Sequence, residues 1–146
     1  MCDTVTFFRC ASSCLVRPMW PIPKEMMMQF VLMIYQGTTP LPGTDAWKAL
    51  PEQEQKRIYA EYGELNKVPG ITPGLPLGLP KDAKTVRVSN GRTQVADGPY
   101  VDAGRAVGGY VVFEADDLEA AVKLASRIPA ARLGGAVEVR PVARYW

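Results

Sequence analysis

Between Val68 and Pro80 the chain carries Pro69, Pro73, Pro76 and Pro80, interleaved with Gly70, Gly74 and Gly78. Proline donates no backbone hydrogen bond, so this stretch cannot form a central strand. Ile71, Leu75, Leu77 and Leu79 nevertheless alternate through it. An irregular extended edge segment, with one apolar side toward the core, satisfies both facts. A flexible linker would leave the leucines without a purpose. Regular structure must therefore come from the portions on either side.

Before this segment, Phe30-Val31-Leu32-Met33-Ile34-Tyr35 is a continuous apolar run. Its length suits a central strand buried on both faces. Gly37 to Thr44 is a Pro/Gly/Thr loop. Pro51 suits a first helical position, and Glu52 and Glu54 sit near the positive end of the helix dipole. Ile58, Tyr62 and Leu65 recur at helical spacing, predicting a helix from about Pro51 to Asn66 with that face buried.

After the segment, Thr85 to Val88 and Thr93 to Val95 flank Asn90-Gly91. Asn-Gly supplies the positive φ values of a two-residue type I′ turn, so this is a hairpin. Gly109 to Glu114 forms the next strand. Asp116 and Glu119 have capping-box spacing and open a second helix. Its apolar stripe is Leu118, Ala121, Val122, Ala125 and Ile128, and Pro129 stops it. Ala136 to Val142 closes the domain as a strand. The order strand, helix, edge segment, hairpin, strand, helix, strand predicts an α+β domain with two helices on one face of a mainly antiparallel sheet. The other face has apolar residues and no helix to cover it. A second subunit, packed sheet to sheet about a two-fold axis, is the economical cover, so a homodimer is expected.

The 146 residues fit one domain over 28–146, preceded by an extension over 1–27. Pro18, Pro21 and Pro23 interrupt that extension, and Met26, Met27 and Met28 offer alternative starts. It reads as weakly ordered, or as an arm that packs on a partner through Phe7, Phe8, Leu15, Val16 and Trp20. No apolar run suits a membrane span or a signal peptide. Cys2, Cys10 and Cys14 all lie in the extension. An odd cysteine count without histidine argues against a disulfide framework or an ordinary zinc site, and suits a reducing cytoplasm. The formal charge of +2 gives no electrostatic case for nucleic acid. Arg127, Arg132, Arg140 and Arg144 form either a solvated face or an anion patch. No metal, nucleotide or other cofactor is implied.

The candidate site is where Asp97-Gly98-Pro99-Tyr100 and Gly108-Gly109-Tyr110 are expected to meet. A carboxylate in an apolar cleft acquires a raised pKa and can serve as general acid or base, which makes Asp97 the candidate catalytic residue. The competing role is structural: an aspartate in such a turn accepts backbone N–H bonds and fixes it. Gly98 then serves either close approach of a ligand or turn conformation. Tyr100 and Tyr110 can orient a carbonyl or stack on a ring. Tyr35 ends the first strand and Tyr62 lies on the inner helix face, so both are candidates to reach the cleft, with a core role as the alternative. Arg87 on the hairpin faces either a ligand carboxylate or solvent. Trp47 before the helix acts as a lid or, more simply, staples its loop.

Asp97-Gly98-Pro99-Tyr100, Gly108-Gly109-Tyr110, Ile128-Pro129-Ala130-Ala131-Arg132 and Val137-Glu138-Val139-Arg140-Pro141 occur in an order that resembles the YCII-related proteins of the DGPF subgroup, over about Met28 to Val142. The resemblance implies a ferredoxin-like domain that dimerises as an α+β barrel, and a bacterial, mostly uncharacterised protein. Some relatives are encoded beside extracytoplasmic-function sigma factors. More distant members of the superfamily are lyases or isomerases of small, often aromatic, molecules. The chain departs from the pattern in three ways. Asp102-Ala103-Gly104-Arg105 keeps only one carboxylate of an expected alternation, and Gly74-Leu75 replaces a usual Gly-Glu. There is no histidine for the histidine–aspartate pair of characterised members. Three readings follow. One is a small molecule bound in a cleft at the Asp97 turn, with or without metal-free lyase or isomerase chemistry. Another is a regulatory or interaction module, and the last a stable dimer with a vestigial cleft.

Overall fold

The computed structural model describes residues 27–143. The elements in order are β1 (Met28–Tyr35), α1 (Asp45–Lys48), α2 (Glu52–Leu65), β2 (Ile71–Thr72), β3 (Lys84–Ser89), β4 (Arg92–Asp97), β5 (Val107–Ala115), α3 (Leu118–Ala125), α4 (Pro129–Arg132) and β6 (Ala136–Pro141), with short 3-10 turns at Pro80–Asp82 and Ala103–Arg105. Four strands form one sheet in the order β2-β5-β1-β6, and every neighbouring pair is antiparallel. Two strand–helix–strand halves, β1-α2-β2 and β5-α3-β6, interleave to give that order. This is the ferredoxin-like α+β arrangement.

Strand β1 is central because its apolar run can pack without exposing polar side chains. It pairs with β5 (Phe30 opposite Phe113, Leu32 opposite Val111) and with β6 (Leu32 opposite Val139). Alternation along a strand sends successive side chains to opposite faces. Phe30 and Leu32 are fully buried under the helices. Val31 and Met33, on the outer face, are only half-buried. In the single chain β1 is thus buried on one face rather than two.

Helices α2 and α3 cover the inner face. Leu65, Ala121, Leu124, Ala125 and Ile128 join Phe30, Leu32, Val111 and Phe113 in one core. Burying each of the large members contributes about 1.5–3 kcal/mol. The predicted hydrophobic stripe of the second helix needs correction. Leu118 and Val122 are exposed and Leu124 is buried, because the face turned to the sheet centres on Ala121, Leu124, Ala125 and Ile128 and leaves Leu118 and Val122 at its flank. The cap is Asp117, whose carboxylate accepts from the Ala120 N–H at 2.8 Å, and not Asp116. Pro129 also has a different role. Helix α3 has already ended at its C-cap Ser126, and Pro129 opens α4 at a position where its missing N–H costs nothing. Pro51 likewise precedes α2 as its N-cap instead of starting it.

The hairpin forms as expected, with Asn90 at φ 52° and Gly91 at φ 73°. Its strands β3 and β4 make a separate sheet and carry almost wholly exposed side chains. The proline-rich segment is the predicted edge. Ile71 pairs opposite Phe113, Pro76 bridges to Gly109, and the Leu77 N–H donates to the Gly108 carbonyl at 2.9 Å. Its apolar side reaches the core at Val68 and Ile71, whereas Leu75 and Leu77 are exposed. The extension over 1–27, with its cysteines, lies almost entirely outside the described residues.

Candidate functional site

A cavity of about 570 Å³ lies between α2, the end of β1 and the proline-rich segment. Its walls follow from the local sequence. Helical spacing directs Ile58, Tyr62 and Leu65 inward from α2, and the alternation that buries Phe30 and Leu32 continues to Ile34 and Gln36 at the cavity floor. The loop after β1 contributes Thr39 to Pro42, and Trp47 follows. Gly74 to Leu79 forms the opposite wall. Gly74 is required there: a Cβ on it would fall within bonding distance of the Tyr110 carbonyl oxygen.

The loop is held in place. The Trp47 ring is buried and meets Tyr59 edge-on, with centroids 5.2 Å apart. Gln55 Nε2 donates to the carbonyls of Trp47 (3.2 Å) and Leu50 (3.0 Å). Trp47 therefore staples its loop and forms a wall. On the far side, Arg132 donates to Glu54 (3.0 Å) and Glu61 (2.8 Å), tying α4 to α2. This pairing, with Arg140 near Glu138, makes the arginine cluster a solvated face; Arg144 lies outside the described residues.

Among the described residues, tyrosines are the only ionisable ones lining the cavity. The Tyr62 phenol is pushed above its ordinary pKa by burial, opposed by the nearby Ala130 backbone, and so stays protonated at neutral pH. A carboxylate acid or base is absent from the lining among the described residues. No group of three potential metal-ligating side chains occurs among them either.

The predicted site residues separate into three places. Tyr62 lines the cavity. Tyr110 belongs by alternation to the outer sheet face and borders the cavity only where its carbonyl and ring meet Gly74. Tyr35 is on the outer face, where its hydroxyl donates to Glu138 Oε2 at 2.9 Å, and that bond raises its pKa. Asp97, Gly98, Tyr100 and Arg87 lie at the hairpin. The Asp97 carboxylate is 83% exposed and pairs with the Lys84 ammonium. Tyr100 is exposed, with the Arg87 guanidinium 6.0 Å from its ring centroid. Tyr100 borders a second, shallower groove that shares Leu77 to Leu79 with the main cavity.

The Asp97 turn is fixed by Gly98 rather than by the carboxylate. Gly98 adopts φ +91°, donates its N–H to the Ala83 carbonyl (2.8 Å) and accepts from Thr85 Oγ1 (2.9 Å). Of the expected convergence with Gly108-Gly109-Tyr110, the structure shows Pro99 and Tyr100 sharing the shallower groove with Ala106 and Val107, while the hairpin that carries Asp97 pairs with itself as a separate sheet. Sequence reasoning missed Gln36, Leu41, Tyr59 and Leu133, which line the cavity. Gln36 carried a readable signal: a polar residue where inward alternation calls for an apolar one.

The family model for the YCII-related domain matches residues 28–145. A search of the curated proteins finds no match. The chain belongs to the YCII-related family.

Proposed function

We propose that this YCII-family protein binds a small molecule in the cavity between α2 and the sheet. The observation that carries this reading is the cavity itself. It is of ligand size, walled by aromatic and aliphatic side chains, with a few polar groups at its floor. The reading is binding rather than lyase or isomerase chemistry: Asp97 is elsewhere, and the ionisable groups lining the cavity among the described residues are tyrosines, of which Tyr62 is held protonated. The working unit in this proposal is a homodimer. Val31, Met33 and Val112 on the outer sheet face remain partly open to solvent in the single chain, flanked by Tyr35 and Tyr110. A second copy would cover them.

A thermal-shift screen of the purified chain against a metabolite library tests the proposal. A ligand that binds only the folded state raises the melting temperature by mass action. The shift should survive Asp97→Asn and disappear in Leu41→Trp, which places an indole on the cavity wall. A shift abolished by Asp97→Asn would return the site to the hairpin turn. Light scattering of the same sample should give twice the chain mass, and a monomer would remove the dimer from the proposal. A second reading, a protein-interaction module, draws on Val86, Val88 and Val95, which the hairpin leaves exposed. It gains if no ligand shifts the wild type and a hairpin variant loses a partner.

A further inference from the structure

Gln36 is the one buried polar residue among the described residues, at 7% exposure, and it lines the cavity. Its backbone is engaged: its N–H donates to the Ala106 carbonyl (3.2 Å) and its carbonyl accepts from Thr39 (2.9 Å). Its side-chain amide has no partner in the side-chain hydrogen bonds of the described residues. Neither amide atom is sealed away without a partner, and the residue lines the cavity. The side chain is also confined on one side. It packs so closely on Gly108 that a Cβ there would come within 2.4 Å of the Gln36 side chain. Buried polar groups are ordinarily satisfied, and leaving one open costs stability that packing alone does not explain.

We infer that Gln36 is the specificity-determining residue of the cavity, and that the ligand is an uncharged, largely apolar molecule carrying one neutral hydrogen-bonding group. This rests on the cavity reading above. The amide offers two donors and one carbonyl acceptor, so it pairs with a neutral hydroxyl, carbonyl or amide. Among the described residues the walls offer no charged partner, and an ion transferred there would lose its hydration without compensation. The Tyr62 phenol adds a neutral polar group on the helix side. A site with a buried amide rejects an analogue that lacks the matching group more strongly than it rejects a change of size.

The test uses Nile red, a neutral solvatochromic dye, as reporter on the full chain, displaced by naphthol, naphthalene and naphthoate. These share one ring system and differ in carrying a hydroxyl, nothing or a charge. Naphthol should displace the dye about tenfold better than naphthalene, the ratio one net hydrogen bond supplies, and naphthoate should be the weakest. In Gln36→Met, naphthalene should bind as before and the naphthol advantage should vanish, while the unliganded protein melts no lower than wild type. A merely structural glutamine would instead lower the melting temperature and weaken all three probes together. If the dye binds but naphthoate is the strongest competitor, or Gln36→Met keeps the naphthol advantage, the inference is overturned and the cavity reading stands. If the wild type does not bind the dye, or Leu41→Trp binds it equally well, the cavity reading itself has failed and the inference falls with it. Should Gln36→Met not fold, Gln36→Leu replaces it, and the wild-type order of the three probes decides independently.

Discussion

The hairpin and the cavity layer are built from equally recognisable sequence, and they differ in what stands behind them. Strands β3 and β4 satisfy each other's backbone and expose nearly every side chain, including Asp97. The cavity layer is backed by Phe30, Leu32 and Leu65, all essentially inaccessible to solvent. A carboxylate on the first surface stays solvated beside Lys84. A polar group on the second is desolvated, and a ligand can exploit it. A conspicuous motif therefore marks a backbone requirement, and the chemistry depends on which surface the fold turns inward.

Six substitutions would break or sharpen this contrast. The largest effect is expected from Phe30→Ala, which empties the core between β1 and the helices. It should cost about 3–5 kcal/mol in urea unfolding, whereas Val88→Ala on the hairpin should stay within about 0.5 kcal/mol. Equal losses would mean that the hairpin is packed in solution, as in a dimer interface.

Next come two glycines. Gly74→Ala drives a methyl group into the Tyr110 carbonyl, so a loss of about 1–3 kcal/mol from overpacking is expected, together with a distorted cavity. Gly98→Ala has open space around it and only the strain of positive φ, about 1–2 kcal/mol. Ligand binding should suffer in the first and not in the second.

Arg132→Ala should cost less than about 1 kcal/mol, as partly exposed ion pairs do. Its pH signature is more informative. Hydrogen bonds from Arg132, and secondarily from Arg57, hold the Glu61 carboxyl below its ordinary value near 4.5. A carboxylate whose folded pKa is depressed contributes stability above its unfolded pKa, and that contribution fades as pH falls through the folded one. Unfolding midpoints of the wild type should drop below about pH 4.5, and Arg132→Ala should flatten that part of the curve. The smallest effect belongs to Asp97→Asn, within about 0.5 kcal/mol, since an exposed pair with lysine is worth little. A larger loss, or a lost ligand, would give Asp97 a role that its exposure does not suggest.

Much of the fold was legible because its signals are local. The Asn90-Gly91 turn, the inward face of α2 and the apolar run of β1 each report a backbone or packing requirement within a few residues. The errors were local too. Asp116 and Asp117 both satisfy the composition of a cap, and only the acceptor geometry separates them. The site was less legible. Tyr62 was found through helical spacing. Asp97, Tyr100 and Arg87 were grouped with the cavity because sequence order placed their turn beside Gly108-Gly109, and nothing local reveals that β3 and β4 pair apart from the main sheet.

The residues alone determined which segments are strands and helices, that Val68 to Pro80 is an edge, and that two helices share one sheet face. Those properties follow from φ preferences, missing donors and periodicity, which act over a few positions. Tertiary structure alone decided that Gln36 faces a cavity, that Asp97 faces water, and that Gly74 must lie against Tyr110. Burial is a property of surfaces brought together from distant parts of the chain, and no short stretch of sequence carries it.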